Sequence, residues 1–188
     1  MNKISGYKLA PIVSSKEQIL RSGWKSVHHE MEILYIVEGR ARIQISNTVF
    51  YAKPGEIYFV NPMEVHSVTA VDDEVHCHHC ICFELSLIAD RSFAKSLLDG
   101  KIFVLNDISS ANKDYSRIVE FFKKLFDIIE KQPKTLMLDA SAFVSLMFSE
   151  LINGGYIIKS DRRDKSRNFI KKSIDYISEH YSENLLMY

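Results

Sequence analysis

The chain has 188 residues, 46% of them hydrophobic and 26% charged, which is typical of a globular protein rather than a disordered one. Its 24 basic and 24 acidic residues cancel, so the net charge does not indicate nucleic acid or an anionic membrane as a partner of the whole chain. The sequence contains neither an apolar run of roughly 20 residues, as a membrane span needs, nor a signal-peptide core, so we predict a cytoplasmic protein without a membrane partner.

The first half of the chain contains six short segments rich in β-branched and aromatic residues. Turn-forming residues such as Glu38-Gly39 and Asn61-Pro62 separate these segments. Short strands divided by regular turns predict an antiparallel sandwich or a small barrel. The predicted strands are residues 31–37, 41–45, 48–52, 56–60, 65–71 and 75–83.

The three cysteines all fall in the last of these segments. In an unbroken strand His76, His78, Cys80 and Cys82 share one face, while Cys77 points to the other. A zinc site built from Cys77 and Cys80 is therefore disfavoured. A disulfide between Cys80 and Cys82 is also disfavoured, because their Cα atoms would lie roughly 6.5–7 Å apart along the strand.

The second half of the chain changes to a helical period. Apolar residues in 115–132 recur at helical spacing until Pro133, which predicts an amphipathic helix. Residues 135–153 are apolar on nearly all sides, and Gly154 ends that segment. Such a helix must be covered on nearly all sides, and either its own domain or a second copy of the chain would do this.

The C-terminal part begins with a charged segment, residues 159–167, which we interpret as a linker. After it, Ile170, Ile174, Ile177 and Tyr181 have the spacing of an amphipathic helix. A lone helix beyond a linker cannot bury its apolar face, so we expect a further segment downstream.

Polar residues before and within the first predicted strand form the candidate site. On an extended strand His28, Glu30 and Glu32 share a face, and His28 and Glu32 would converge with His66 of a later strand. Two imidazoles and a carboxylate are suitable ligands for iron, manganese or zinc. A fourth ligand would be expected at position 26, which is Ser26. We therefore favour a polar pocket for a small molecule and predict no metal and no cofactor.

Four segments carry a resemblance to a known family. "SVHHEMEILYIVEG" (26–39) and "KPGEIYFVNPMEVHS" (53–67) resemble the two motif segments of a cupin barrel. More narrowly, they are similar to the effector-binding domain of AraC-type transcriptional regulators. "CHHCICFELSLI" (77–88) resembles the last barrel strand running into a helix, and "FIKKSIDYISEHYSENL" (169–185) resembles the opening helix of that family's double helix-turn-helix domain.

The resemblance implies an α+β fold in three parts. Residues 1–100 would form an antiparallel β-barrel of the cupin, or jelly-roll-like, type that binds the effector. Residues 101–160 would form a helical dimerisation region. Residues 161–188 would hold the linker and the first helix of a truncated helix-turn-helix domain, so this chain is not expected to bind DNA specifically.

The same resemblance implies a sensor rather than an enzyme. A small effector, such as a sugar or a similar polar metabolite, would bind in the barrel of a homodimer and control DNA binding by the full-length protein. The residues that we assign to the effector are Trp24, as a stacking face, with His28, Glu32, His66, His78 and Cys80. Those that we assign to the dimer contact are Phe122, Leu125, Phe126, Ile129, Phe143, Leu146 and Met147.

Two alternatives remain open at this point. One is a metal-dependent cupin enzyme, such as a dioxygenase or an isomerase, with the metal on His28, Glu32 and His66. The other is a structural dimerisation module with an occluded barrel. Its interior would be filled by Leu34, Ile36, Tyr58 and Val60.

Overall fold

A computed structural model describes residues 12–19, 25–71, 75–108 and 114–160, together with 172, 173 and 176. All six predicted strands and both long predicted helices are confirmed, with ends within two residues of those expected. The strands are β1 Ile12–Ile19, β2 Met31–Glu38, β3 Ala41–Ile45, β4 Thr48–Ala52, β5 Ile57–Val60, β6 His66–Ala70, β7 His76–Phe83, β8 Ile102–Val104 and β9 Ile157–Lys159. The helices are α1 Arg91–Leu98, α2 Tyr115–Lys131 and α3 Leu136–Asn153, and a 3-10 turn spans Leu85–Leu87.

Two antiparallel sheets form the barrel. One sheet has the strand order β1-β7-β2-β5 and the other β4-β3-β6. A register shift on β2, between Ile36 and Glu38, leaves the alternation of β7 unbroken. The predicted common face of His76, His78, Cys80 and Cys82 therefore holds.

The two-residue period of β2 divides the molecule into two cores. Leu34 and Ile36 face the barrel interior, whereas Met31 and Ile33 face the helices. The middle of the barrel is filled by side chains, including all four that the occluded-barrel alternative named. These interior residues are Leu34, Ile36, Ala41, Ile43, Ile45, Ala52, Tyr58, Val60, Val68 and Cys80.

The outer face of the larger sheet is covered by α2 and α3. Most side chains that we assigned to a dimer contact are buried in this intrachain core, at 0–4% exposure: Phe122, Leu125, Phe126, Ile129 and Met147. Phe143 is half-buried, and Leu146 is 46% exposed. These five buried side chains are thus covered within the same chain. A dimer contact through Leu146 stays a prediction.

Helix α3 keeps one apolar side uncovered. Its exposed residues Leu138, Ala142, Leu146 and Ile152 lie on one side by helical spacing, and we call them the α3 stripe. Among the described residues α3 is the one helix long and apolar enough to cross a membrane. Core helices of globular proteins commonly meet the same test, and the opposite side of α3 is packed in the core.

The region predicted as helical also contains a small strand pair. β8 and β9 are antiparallel, with Phe103 opposite Ile158, and neither strand was expected. Three-residue strands are too short to show a period in the sequence. The predicted linker and last helix lie outside the described residues, except that 172, 173 and 176 are helical.

Candidate functional site

The structure brings three predicted residues together at one end of the barrel. His28 Nε2 lies 2.9 Å from Glu32 Oε2, and His66 Nε2 lies 3.0 Å from the same oxygen. Glu32 reaches this point from β2, His66 from the start of β6, and His28 from the segment before β2. Glu32 and His66 are 8% and 5% exposed, so the carboxylate and the His66 ring are largely out of water, whereas the His28 side chain is 23% exposed.

Backbone carbonyls fix the orientation of both rings. His28 Nδ1 lies 3.2 Å from the carbonyl oxygen of Glu30, and His66 Nδ1 lies 2.9 Å from that of Glu64. An Nδ1–H that donates to a carbonyl oxygen fixes the ring so that Nε2 faces Glu32 Oε2, as the ring of a metal-binding histidine faces its ion. The three side chains therefore fit a divalent cation as ligands, and without one they form a closed polar cluster.

Charge pairing sets the protonation of this cluster. Burial raises the pKa of Glu32, but the hydrogen bonds from His28 and His66 and their charges outweigh burial and hold it well below its usual range. Burial lowers the pKa of His66, but the hydrogen bond and charge of Glu32 reverse the effect and raise it. The carboxylate is therefore ionised and the His66 imidazole is readily protonated.

Two thiols adjoin the same carboxylate. Cys82 Sγ lies 3.5 Å from Glu32 Oε2, and Cys80 Sγ lies 3.9 Å from Cys82 Sγ. The register pairs Glu32 directly with Cys82, so β2 and β7 position these groups rigidly. The neighbouring thiol, burial and the charge of Glu32 raise the pKa of Cys80 well above its ordinary value. All three cysteines are free.

An open cleft of about 790 Å³ lies beside this cluster. One part of its wall comes from the barrel and includes Lys25, Gln44, Glu64, His66 and Ser67. The other part is formed by β8 and the two residues after it, Leu105 and Asn106. Of the described residues that we assigned to the effector, only His66 lines the cleft. It also touches the buried cluster, so it is the link between the two.

A polar contact that the sequence analysis missed ties the barrel to β8. The Asn61 side chain donates to the Val104 carbonyl oxygen at 2.9 Å and accepts from the Val104 N–H at 2.8 Å. Glu64 accepts from the Asn61 and Asn106 side-chain amides at 3.1 and 2.8 Å. We call Asn61, Glu64, Val104 and Asn106 the clamp. The Asn61-Pro62 turn was recognisable, but its partners lie more than 40 residues away.

One further predicted residue, His78, does not join the cluster, and Trp24 lies outside the described residues. His78 stacks on His76 with ring centroids 5.3 Å apart, and it pairs in register with Ile36, four residues along β2 from Glu32. That separation corresponds to about 13 Å of strand.

The buried His76 makes the stability of the fold depend on pH. His76 is fully buried, and burial followed by the neighbouring His78 lowers its pKa from 6.5 to about 4. The unfolded chain therefore binds more protons than the native state between these values, so the free energy of unfolding should fall as pH drops from about 6.5 to 4. His76→Phe should weaken this slope in denaturant titrations across the interval. An unchanged slope would contradict the assignment.

Comparisons with known proteins match this architecture. The profile of the AraC-like ligand binding domain family matches residues 15–146. The uncharacterized HTH-type transcriptional regulator YdeC of Bacillus subtilis is 19% identical over 165 residues, covering 85% of this chain and 57% of the relative. This chain thus spans little more than half the length of that relative.

The solved structures that part of this chain resembles include cupins. An RmlC-like cupin from Shewanella frigidimarina is 16% identical, with a TM-score of 0.37, and the match covers 44% of this chain and 71% of that one. A cupin-like protein from Thermotoga maritima is 19% identical, with a TM-score of 0.38, and the match covers 40% and 59% of the two chains.

Proposed function

Because the chain belongs to the AraC-like ligand binding domain family, we propose that it senses a small polar effector, such as a sugar, for a cytoplasmic transcriptional regulator. The effector binds in the open cleft beside His66, and its binding alters DNA binding by the full-length protein. The role is non-enzymatic. The observation that carries the proposal is a cleft with polar and apolar side chains on its wall, which connects a buried charged cluster to the strand pair preceding the C-terminal segment.

The chemistry of the cleft favours a polyhydroxylated or similarly polar ligand. Lys25, Gln44, Glu64 and Ser67 offer both donors and acceptors, and Leu105 supplies apolar surface. Polar groups in a binding site give orientation and specificity, because an analogue without the matching group leaves them unpaired. The packed barrel middle leaves the cleft, rather than the barrel centre, as the proposed binding space.

The clamp offers a route from the cleft to the C-terminal segment. His66 contacts the Glu64 backbone, Glu64 contacts Asn61 and Asn106, and Asn61 holds Val104 of β8. β8 pairs with β9, which directly precedes residues 161–188. An effector can change the balance between two arrangements of the clamp only to the extent that it binds one of them more tightly than the other.

We also propose that two copies of the chain associate through the α3 stripe. Leu138, Leu146 and Ile152 are 76%, 46% and 51% exposed, and they lie on one side of the helix. An exposed apolar patch of this kind is typical of an interaction surface. This contact differs from the predicted set, because most of that set lies in the intrachain core.

Thermal unfolding in the presence of candidate effectors tests the sensing role. At a ligand concentration of about 100 times Kd, binding stabilises the native state by about 2.7 kcal/mol, which raises Tm by about 5–10 °C in a domain of this size. Lys25→Ala should reduce the shift because Lys25 lines the cleft. Lys53→Ala, at another exposed lysine, which does not line the cleft, is the matched control. If no sugar, polyol or small acid raises Tm, the proposal is wrong.

A further inference from the structure

The geometry points to a second ligand beside Glu32 in the barrel: one thiophilic divalent cation of the zinc class, bound by the sulfurs of Cys80 and Cys82 and by the carboxylate of Glu32. This inference goes beyond the proposed function, because it needs only these side chains and does not depend on which effector fills the cleft.

The distances between the donor atoms carry the inference. The two sulfurs lie 3.9 Å apart, and Cys82 Sγ lies 3.5 Å from Glu32 Oε2. Zinc binds thiolate sulfur at about 2.3 Å and carboxylate oxygen at about 2.1 Å in tetrahedral geometry, which implies about 3.8 Å between two sulfurs and about 3.6 Å between sulfur and oxygen. These two separations are therefore already close to those that an ion would impose.

The two histidines lie on the other side of the same carboxylate. His66 Nε2 and His28 Nε2 lie 3.0 and 2.9 Å from Glu32 Oε2. The donor atoms of His28, Glu32 and His66 lie within 4.8 Å of one another, and those of Glu32, Cys80 and Cys82 form a second group of the same kind. The sulfur group gives zinc three protein ligands and leaves its fourth position open, an arrangement that zinc sites commonly use.

The sulfur pair decides which cations fit. Thiolates select soft and borderline ions, such as zinc, cobalt and cadmium, over magnesium, calcium and manganese. Both thiols lie on β7, where it pairs with β2, rather than on a loop, so little reorganisation is needed. On binding, each thiol loses its proton to the buffer and the sulfur forms the bond to the ion. His28, with a side chain 23% exposed, marks where the ion would enter.

Cobalt(II) titration of the reduced, metal-free protein tests the site. We expect one equivalent to bind and to produce the near-ultraviolet thiolate-to-cobalt charge-transfer band, which zinc then abolishes by displacement. The Cys80→Ser/Cys82→Ser double variant should lose the band completely. Cys77→Ser, which alters the opposite face of the same strand, is the matched control and should keep it at full intensity.

Other results would overturn the inference. Cobalt binding without the charge-transfer band would mean that only the histidines and Glu32 hold the ion. A band that survives in the double variant, or that disappears with Cys77→Ser, would mean that Cys80 and Cys82 are not the sulfur ligands. Failure of the native protein to bind cobalt would mean that there is no such site. Should the double variant unfold, Cys82→Ser alone, at the half-buried position, should lose about half of the band. None of these outcomes bears on Tm shifts by organic effectors, so the two proposals can fail separately.

Discussion

Phe122→Ala is expected to lower the free energy of unfolding of a single subunit by about 3–5 kcal/mol, the usual cost of deleting a buried aromatic ring. Phe122 is fully buried between α2 and the larger sheet, with its ring 5.5 Å from that of Tyr35 and 6.1 Å from that of Phe126. The cavity left behind would remove the contacts that the Phe122 ring makes with side chains of the sheet. Urea unfolding of the chain, monitored by circular dichroism, measures the loss.

Leu146→Ala is the matched control for this loss. Leu146 lies on the α3 stripe and is 46% exposed, so its truncation should change subunit stability by about 0.5 kcal/mol or less. Leu146→Glu should instead reduce self-association, because a carboxylate would replace an apolar side chain in the proposed contact, and analytical ultracentrifugation would detect it. A small effect of Phe122→Ala combined with lost self-association would contradict the intrachain placement.

The strands were predictable because their side chains follow simple alternation. In β7 the interior positions His76, His78 and Cys80 are buried, and the intervening Cys77 and His79 are half-buried, as a period of two requires. The boundaries followed from turn residues such as Gly39, whose φ of 72° suits glycine and whose Cβ would lie only 2.5 Å from the Val75 carbonyl oxygen. Local chemistry therefore determined both the elements and their ends.

The sequence did not predict whether the apolar face of α2 is covered by the same chain or by a second copy. The apolar period of α2 showed that Phe122 and Leu125 must be covered, but it did not identify the covering surface. That surface is the outer face of the sheet, where Tyr35, Ile33 and Ile81 lie. A helical period identifies a buried face and carries no information on whether the partner belongs to the same chain.

The candidate site was predictable only where its residues follow a local motif. His28 and Glu32 lie four residues apart, and their convergence with His66 was expected from strand parity. The clamp depends on Val104 and Asn106 packing against a turn more than 40 residues earlier in the chain, which no local pattern indicates. Contacts of this range arise from tertiary packing after the elements have formed.

Asn61→Ala is expected to destabilise the chain by about 2–5 kcal/mol. Asn61 is 2% exposed and Val104 is 1% exposed, and the amide side chain pairs with both backbone groups of Val104. Its loss leaves a buried N–H and a buried carbonyl without partners, at about 1–3 kcal/mol each. Because β8 is held by this pair, its backbone amides should also exchange faster with deuterium, and hydrogen exchange would locate the effect at β8 and β9.

Asn47→Ala provides the matched control for Asn61→Ala, since Asn47 is exposed in the turn between β3 and β4 and its removal should leave stability nearly unchanged. Asn61→Asp distinguishes the hydrogen bonds of the Asn61 amide from the space that its side chain fills, because aspartate has nearly the same shape. The aspartate keeps an acceptor for the Val104 N–H, but it places a second carboxylate oxygen against the Val104 carbonyl oxygen and Glu64, both acceptors. It should therefore destabilise at least as much as alanine. If Asn61→Asp were harmless, or if Asn61→Ala cost less than about 1 kcal/mol, the clamp would not hold β8 on the barrel, and the route from His66 to the C-terminal segment would need another connection.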